Sequence, residues 1–288
     1  MRIFYYVHTG HRIGLDRFRR ACAIIRMLKD VDITLLCSDF RIAHEARSFG
    51  ISKAVGIDDV RNISKIAQRG DKLIFDSEEA NPIMLDDMRD YFSSFIRISD
   101  KEDDIRDKRE FLISPYLEGE GICNALIVDE KYFKDSKKEI ELSYFFGDDD
   151  YEKDLEKHLD FIKDLNPALQ LGFYYFLDYE DKLKEIFKNY YEFEEYDTVI
   201  TQSKILISAS SQAVLESLAS GGKPIYIQRE DYTKDFISLF KKLGIPIVIN
   251  YDKELLIATI ELICNKNYFK MEQINEKLIT FIKESLDL

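Results

Sequence analysis

The stretch ILISASSQAVLESLASGGKPIYI, residues 205–227, contains in one segment the pattern that decides the fold. An apolar run ends at Ser208, small hydroxyl residues follow, and helical spacing then begins near Gln212. Two glycines end the predicted helix, and a second apolar run follows over 224–228. A strand, a helix and a strand in this order predict two parallel strands joined by a right-handed crossover.

The same alternation continues along most of the chain. Predicted strands with helical segments between them lie at 3–7, 33–37, 73–75, 95–98, 141–146, 169–175, 205–208, 224–228 and 245–249. Residues 100–138 instead crowd charges together and lose the periodicity, which indicates a segment that crosses between domains. The sequence therefore predicts an α/β protein of two doubly wound, Rossmann-like domains, 1–137 and 138–288. A terminal helix over 271–286 is expected within the second range.

Composition excludes several classes of partner. The net charge of −13 repels phosphate backbones and anionic lipid, so nucleic acid and membrane partners are not expected. No apolar run approaches the roughly 20 residues of a membrane span. The four cysteines lie far apart without CxxC spacing, which indicates reduced, buried thiols. We expect a cytoplasmic protein.

The loop HTGHRIGLDR, residues 8–17, follows the first strand and opens a helix. Ligands of open parallel sheets bind beyond the carboxyl ends of the strands, and a helix N-terminus attracts anions. Gly14 permits a sharp turn, Arg17 and Arg20 add positive charge, and His11 is a candidate general base because imidazole titrates near neutral pH. The alternative is a plain glycine turn with solvated arginines.

The loop within 205–227 is the second candidate site. Ser208, Ser210, Ser211 and Gln212 surround a predicted helix N-terminus, where hydroxyl and backbone donors suit a diphosphate. Glu216, one and a half turns further, can accept hydrogen bonds from the two hydroxyls of a ribose. The alternative is simple serine capping with a surface glutamate.

Two acidic loops follow other strands. Asp76 ends a strand, where it can touch a substrate or cap the helix that starts at Pro82. Three consecutive aspartates over 148–150 precede another helix, and we interpret them as acids that favour the helix dipole rather than as metal ligands. Neither a metal nor a cofactor is expected.

With these loops identified, the chain resembles the UDP-sugar hydrolase of the pseudaminic acid pathway and the related spore-coat polysaccharide proteins. These in turn are similar to the GT-B glycosyltransferase that makes lipid II. Residues 205–227 carry most of the resemblance, with weaker similarity in LIFDS at 73–77, GICNALIVDEKYF at 121–133 and IGLDRFRRA at 13–21.

The resemblance implies two domains that face a cleft, a nucleotide diphosphate at Ser210 and Ser211, and a ribose at Glu216. The family's Gly-x-Gly-His-x-x-Arg segment aligns without gaps on residues 14–20, which sets Arg17 where the family has its catalytic His. An alternative alignment sets Gly10 and His11 on the family's Gly-His. In either alignment, the implied substrate is a nucleotide-diphosphate sugar.

Three functions remain open. The first is a nucleotide-sugar hydrolase of surface-glycan or nonulosonic acid synthesis, with His11 or a carboxylate such as Asp76 as the base. The second is a GT-B glycosyltransferase. The third is a non-catalytic nucleotide-sugar binder, which the Arg at position 17 favours. Other proteins of a glycan pathway are possible partners.

Overall fold

The computed structural model describes residues 1–264, 268, 270–273 and 275–288. Its contacts divide the chain into two compact units. Unit 1 contains Met1–Asp129 and the C-terminal segment after Gln273, and unit 2 contains Glu130–Gln273. The boundary therefore lies before the expected one at 137/138, and the C-terminal helix belongs to unit 1 rather than to the second range.

Unit 1 is built on a parallel sheet, and its described residues form seven strands in the order β3-β2-β1-β4-β5-β6-β7. The strands are β1 (Ile3–Val7), β2 (Ile33–Cys37), β3 (Ala54–Gly56), β4 (Lys72–Asp76), β5 (Ser94–Ile98), β6 (Phe111–Ser114) and β7 (Ile122–Asn124). The helices between them are α1 (Asp16–Met27), α2 (Phe40–Glu45), α3 (Ile63–Ile66) and α4 (Pro82–Tyr91). Val7 pairs in register with both Cys37 and Asp76, so three strands end at one level and their loops share one edge.

Unit 2 is built on a second parallel sheet, with six strands among its described residues in the order β10-β9-β8-β11-β12-β13. The strands are β8 (Ile140–Phe145), β9 (Ala168–Gln170), β10 (Tyr190–Tyr191), β11 (Ser203–Ser208), β12 (Lys223–Gln228) and β13 (Ile247–Ile249). The helices are α5 (Asp154–Lys157), α6 (Leu159–Ile162), α7 (Leu177–Ile186), α8 (Tyr196–Gln202), α9 (Ser211–Ala219), α10 (Ile237–Lys242) and α11 (Lys253–Cys264). No helix in the described ranges has the length and apolar character of a membrane span.

The last helix, α12 (Asn275–Ser285), packs on unit 1. The carbonyl of Ser285 accepts a hydrogen bond from the Ser94 hydroxyl at 2.5 Å, and the Phe281 ring meets Phe111 edge to face at 6.1 Å. The Lys72 ammonium donates to the carbonyl of Leu286. These contacts explain why the helix belongs to unit 1. Residue 274, within the predicted span 271–286, lies outside the described residues.

The structure corrects several predicted elements. The charged segment 100–138 contains β6 and β7, which extend the first sheet, so it is not only a crossing segment. The strand predicted over 169–175 ends at Gln170. Gly172, two residues later, packs so closely that a Cβ there would lie 2.5 Å from the carbonyl oxygen of Gly147. Cys264 is exposed, whereas the other three thiols are buried as expected.

A buried ion network joins α1 to the carboxyl edge of the first sheet. The Arg20 guanidinium donates to both oxygens of Asp76, at 2.5 and 2.7 Å, and to both oxygens of Asp100, at 2.7 and 2.9 Å. The Tyr5 hydroxyl also donates to Asp76, at 3.1 Å. Although burial alone would lower the pKa of Arg20, the two carboxylates hold that pKa well above its ordinary value. The network therefore fixes one side of α1 to the ends of β4 and β5.

This network predicts a large difference between two arginine substitutions. Arg20→Met should lower the free energy of unfolding by about 3–5 kcal/mol, because Asp76 and Asp100 stay buried without their counter-charge. Arg41→Met removes an exposed ion pair with Asp39 and should cost less than about 1 kcal/mol. Because the chain has no Trp, urea unfolding is followed by far-UV circular dichroism. Equal costs for the two variants would contradict the stabilising role of the network.

Candidate functional site

The loop between β1 and α1 forms a compact turn at the carboxyl edge of the first sheet. The amides of Ile13 and Gly14 donate to the carbonyl of Gly10 at 3.1 and 2.9 Å, and the Thr9 hydroxyl donates to the carbonyl of Gly14 at 2.8 Å. Gly14 has φ +77°, a left-handed conformation that favours glycine. The backbone conformation at position 14 therefore explains why a glycine is found there. His11 is half-buried and lies between Gly10 and Gly14 in the sequence.

Arg17 lies on the first turn of α1 in a strongly acidic environment. Its guanidinium pairs with Glu78 at 2.7 Å and lies 3.8 Å from an oxygen of Asp76. Its side chain is 16% exposed. Because a guanidinium stays protonated, Arg17 can bind an anion or orient a carboxylate but cannot remove a proton.

Asp76 has surroundings that differ from both expectations. The carboxylate has no exposed surface and accepts hydrogen bonds from Arg20 and Tyr5, so it is not placed to touch a substrate directly. The N-cap of α4 is Asn81, whose side chain accepts from the amide of Met84 at 3.0 Å. In the structure, Asp76 and Arg20 support the site through the ion network.

A pocket of about 250 Å³ opens where β4 and β5 end. Both signs of charge and hydroxyl groups line it, among them Arg17, Glu78, Lys101, Asp100 and Ser77. Carboxylates accept and guanidinium groups donate hydrogen bonds, so the lining suits a hydroxyl-rich ligand better than an apolar one. The pocket lies entirely within unit 1, and the predicted residues Arg17 and Arg20 both reach it.

In unit 2, the loop from β11 to α9 has the expected form of a helix N-terminus at the carboxyl edge of a sheet. The Ser210 hydroxyl accepts from the amide of Ala213 at 3.0 Å and is the N-cap of α9. The Ser208 hydroxyl accepts from the amide of Ser210 at 3.0 Å. Ser211 and Gln212 form the first turn of α9. The serine capping foreseen as an alternative is therefore present.

Glu216 is buried, at 1% exposure, and is not a surface glutamate. One carboxylate oxygen accepts from the Tyr196 hydroxyl at 2.7 Å, and the other accepts from the Gln212 side-chain amide at 2.9 Å. A carboxylate oxygen can accept more than one hydrogen bond. The two protein donors hold the carboxylate in one orientation beneath the start of α9.

The aspartates over 148–150 are all buried. Asp150 accepts from the amides of Asp154 and Leu155 at the start of α5, at 2.7 and 3.1 Å, which agrees with the helix interpretation. Burial raises the pKa of Asp150 above its ordinary value, although its hydrogen bonds with Tyr179 and the helix amides oppose this effect. In the part of the chain that the structure describes, no group of His, Cys, Asp and Glu side chains could hold a metal ion.

Sequence reasoning overlooked Arg229, the first charged residue after β12. It is 1% exposed and donates to the carbonyl of Asp149 at 2.7 Å. Its guanidinium carbon lies over the rings of Phe146 and Tyr232, 4.4 and 4.2 Å from their centroids. A charged residue placed directly after an apolar strand is the signal that could have found it. Arg229 fixes the acidic loop at the same edge of the sheet as the β11–α9 loop.

Comparisons with known proteins extend over the whole chain. No protein-family model matches the sequence, and no curated protein matches it. A matching solved structure is the UDP-GlcNAc 2-epimerase of Methanocaldococcus jannaschii in complex with UDP-GlcNAc and UDP, with a TM-score of 0.60 and 12% identity over 99% of this chain and 100% of that one. Acinetobacter baumannii MurG matches with a TM-score of 0.58 and 8% identity, over 99% and 100%. Anabaena Alr3699/HepE in complex with UDP matches with a TM-score of 0.57 and 10% identity, over 100% and 94%.

Identities this low show a shared fold and nothing finer. Both sheets of this chain are parallel and alternate with helices, as the sequence predicts. The predicted fold class is confirmed: the chain is an α/β protein of the GT-B type that these solved enzymes share.

Proposed function

We propose that the chain is an enzyme that cleaves a nucleotide-diphosphate sugar, most simply a UDP-sugar, and transfers the sugar to water. The observation that carries the proposal is the β11–α9 loop, where a serine-rich helix N-terminus lies above a buried, oriented glutamate. The solved structures of the same fold include complexes with UDP and UDP-GlcNAc, which supports the choice of nucleotide.

In this proposal, unit 2 binds the nucleotide. The amides at the N-terminus of α9 and the hydroxyls of Ser210 and Ser211 donate to the diphosphate, whose charge also interacts favourably with the helix dipole. Glu216 accepts hydrogen bonds from the ribose hydroxyls. Such local donors are essential, because the net charge of −13 otherwise repels an anionic ligand.

Unit 1 supplies the groups for the sugar and for the attacking hydroxyl. The bond between the anomeric carbon and the diphosphate breaks, UDP leaves with the electron pair, and water provides the oxygen of the new bond. Attack by water needs a nearby base, and departure of UDP needs donors that stabilise its growing charge. Arg17 is suited to the charge of the substrate, and the histidines of the β1–α1 loop are suited to the proton.

This activity would serve surface-glycan or nonulosonic acid synthesis, as the resemblance to the pseudaminic acid hydrolase implies. A glycosyltransferase is the second candidate, and the pocket beside Arg17 favours it. At about 250 Å³ with a charged and hydroxyl-bearing lining, that pocket has room for part of an acceptor sugar. The same bonds form and break whether water or an acceptor hydroxyl attacks. Hydrolysis and glycosyl transfer are therefore distinguished only by whether the product is a free sugar or a glycosylated acceptor.

Serine substitutions test the diphosphate site. Ser210→Gly combined with Ser211→Ala should weaken UDP binding about tenfold or more, since each hydrogen bond to a charged group contributes roughly 1.5–3 kcal/mol. Glycine at position 210 keeps most of the N-cap preference, so the fold is preserved. Ser136→Ala, before β8 at the opposite edge of the sheet, is the matched control. Calorimetric titration that finds unchanged UDP affinity in the double variant rejects the site.

A glutamate substitution tests the ribose site. Glu216→Gln should weaken UDP and UMP by a similar factor, because both ligands carry the ribose and the amide loses one acceptor oxygen. Tyr196→Phe removes a donor that orients the carboxylate and should weaken both nucleotides by a smaller factor. Titrations of both nucleotides into each variant measure this. A loss confined to UDP would contradict the assignment to the ribose.

A substrate panel tests the reaction itself. Incubation with UDP-, CMP- and GDP-sugars should release free nucleotide from a UDP-sugar without any acceptor, because water is the proposed acceptor. Nucleotide released only when a sugar acceptor is present would identify the transferase instead. If every compound in the panel stays intact under both conditions, the chain is a binder and the proposed enzymatic function is wrong.

A further inference from the structure

The chain first passes from unit 1 to unit 2 between Asp129 and Glu130. The residues that follow, Glu130–Phe133, form a short 3-10 helix, which we call the linker helix. Its Tyr132 is buried, at 2% exposure, and the linker helix packs against α9. Since α9 carries the candidate nucleotide site at its N-terminus and at Glu216, the linker helix lies against the element that would hold the nucleotide.

Asp197, on the first turn of α8, holds the linker helix in place. Its Oδ1 accepts a hydrogen bond from the Tyr132 hydroxyl at 2.6 Å, and its Oδ2 accepts one from the Lys131 ammonium. The ammonium also lies over the Tyr132 ring, 4.9 Å from the ring centroid. Two neighbouring residues of the linker helix therefore bind the two oxygens of a single carboxylate.

Tyr196 connects Asp197 to the candidate nucleotide site. The two residues are neighbours at the start of α8, so a contact that fixes Asp197 also fixes the backbone that carries the Tyr196 ring. The Tyr196 hydroxyl donates to Glu216 at 2.7 Å, and its ring meets Phe145 edge to face at 5.3 Å. A continuous series of contacts within unit 2 thus leads from Tyr132 to the carboxylate proposed to bind the ribose.

The electrostatic surroundings keep the Tyr132 hydroxyl protonated. Burial raises the pKa of Tyr132 well above its ordinary value, and the charges of Glu216 and Asp197 act in the same direction. The hydroxyl therefore stays a hydrogen-bond donor. Its acceptor is less protected, because the side chains of Asp197 and Lys131 are 54% and 37% exposed and water competes for this contact. The contact can consequently strengthen when its neighbours become better ordered.

The chain is also anchored on both sides of the linker helix. Before it, Asp129 of unit 1 accepts a hydrogen bond from Nε of Arg26, on the last turn of α1, at 2.6 Å. After it, the Lys138 ammonium donates to the carbonyl of Thr201, near the end of α8, at 2.6 Å. A change at Asp197 is therefore expected to affect the linker helix rather than the segments on either side.

We propose that Tyr132 is a positioning residue of the nucleotide site, which through Asp197 and Tyr196 helps to hold Glu216 in its ribose-binding orientation. This inference rests on the proposed function. A ribose bound to Glu216 restrains Tyr196 and Asp197 in turn, and so orders the linker helix. The effect is reciprocal, because a ligand that stabilises a contact binds more tightly when that contact is present. Any event that loosens the linker helix accordingly weakens nucleotide binding.

Hydrogen exchange, followed by mass spectrometry on the peptide that contains the linker helix, tests this coupling. Saturating UDP should slow exchange of the linker helix about fivefold or more in the wild type. Tyr132→Phe should abolish this slowing and weaken the Kd for UDP about fivefold. Tyr268→Phe is the matched control, because its hydroxyl donates to the carbonyl of Pro224 near the start of β12, and it should behave as the wild type. Asp197→Ala replaces Tyr132→Phe if that variant does not fold.

The ratio of the exchange rates with and without UDP separates positioning from a merely structural role. A structural defect speeds exchange equally in both conditions, whereas the proposal predicts that the ratio falls. In a Tyr196→Phe background, Tyr132→Phe should weaken UDP binding less than it does in the wild type, because the series of contacts is already broken.

Two outcomes would overturn the inference and leave the proposed function standing. In the first, UDP slows exchange at the start of α9 but not in the linker helix. In the second, the Tyr132→Phe and Tyr196→Phe effects on the Kd for UDP are fully additive. If UDP neither binds the wild type in calorimetric titration nor slows exchange in α9, the inference and the proposed function are both wrong.

Discussion

The buried ion network of Arg20 is the constraint on which the first unit depends. Removing a guanidinium from water is costly, and it is tolerated here because Asp76 and Asp100 neutralise the charge with four hydrogen bonds. Since Arg20 lies on α1 and the carboxylates follow β4 and β5, the network sets where α1 begins relative to the sheet. The turn that carries the histidines and Arg17 is positioned as a consequence.

The candidate site of unit 2 depends on a different interaction. There the N-terminus of α9 supplies donors, and the buried Glu216 supplies acceptors that Tyr196 and Gln212 hold in one orientation. A nucleotide needs both, because its diphosphate accepts hydrogen bonds whereas its ribose hydroxyls donate them. The proposed function accordingly assigns anion and ribose binding to unit 2.

The sequence predicts the strands and helices whose hydrophobic pattern is long and has a single period, such as β1, α1, β11 and α9. Apolar runs of five or six residues followed by helical spacing leave little ambiguity. Short strands such as β6, β7 and β10 escape prediction, because they add to existing sheets and need little hydrophobic pattern of their own. The helical segment predicted between the strands at 141–146 and 169–175 is divided into α5 and α6 at His158, whose backbone angles are not helical.

The candidate site likewise has parts that the sequence predicts and parts that it does not. The serine loop is predictable because its residues are contiguous in sequence. The burial of Glu216 and the structural surroundings of Asp76 depend on residues that are distant in sequence and meet only through sheet order. Charge patterns alone therefore place the candidate residues at the carboxyl edge of each sheet but do not predict the contacts of each carboxylate.

The most direct test of the central claim is a crystal structure of the chain grown with UDP. The account predicts the diphosphate at the N-terminus of α9, within hydrogen-bond distance of Ser210 or Ser211, and the ribose hydroxyls at Glu216. UDP bound at any other place, or a well-ordered β11–α9 loop with no nucleotide at saturating UDP, would contradict it.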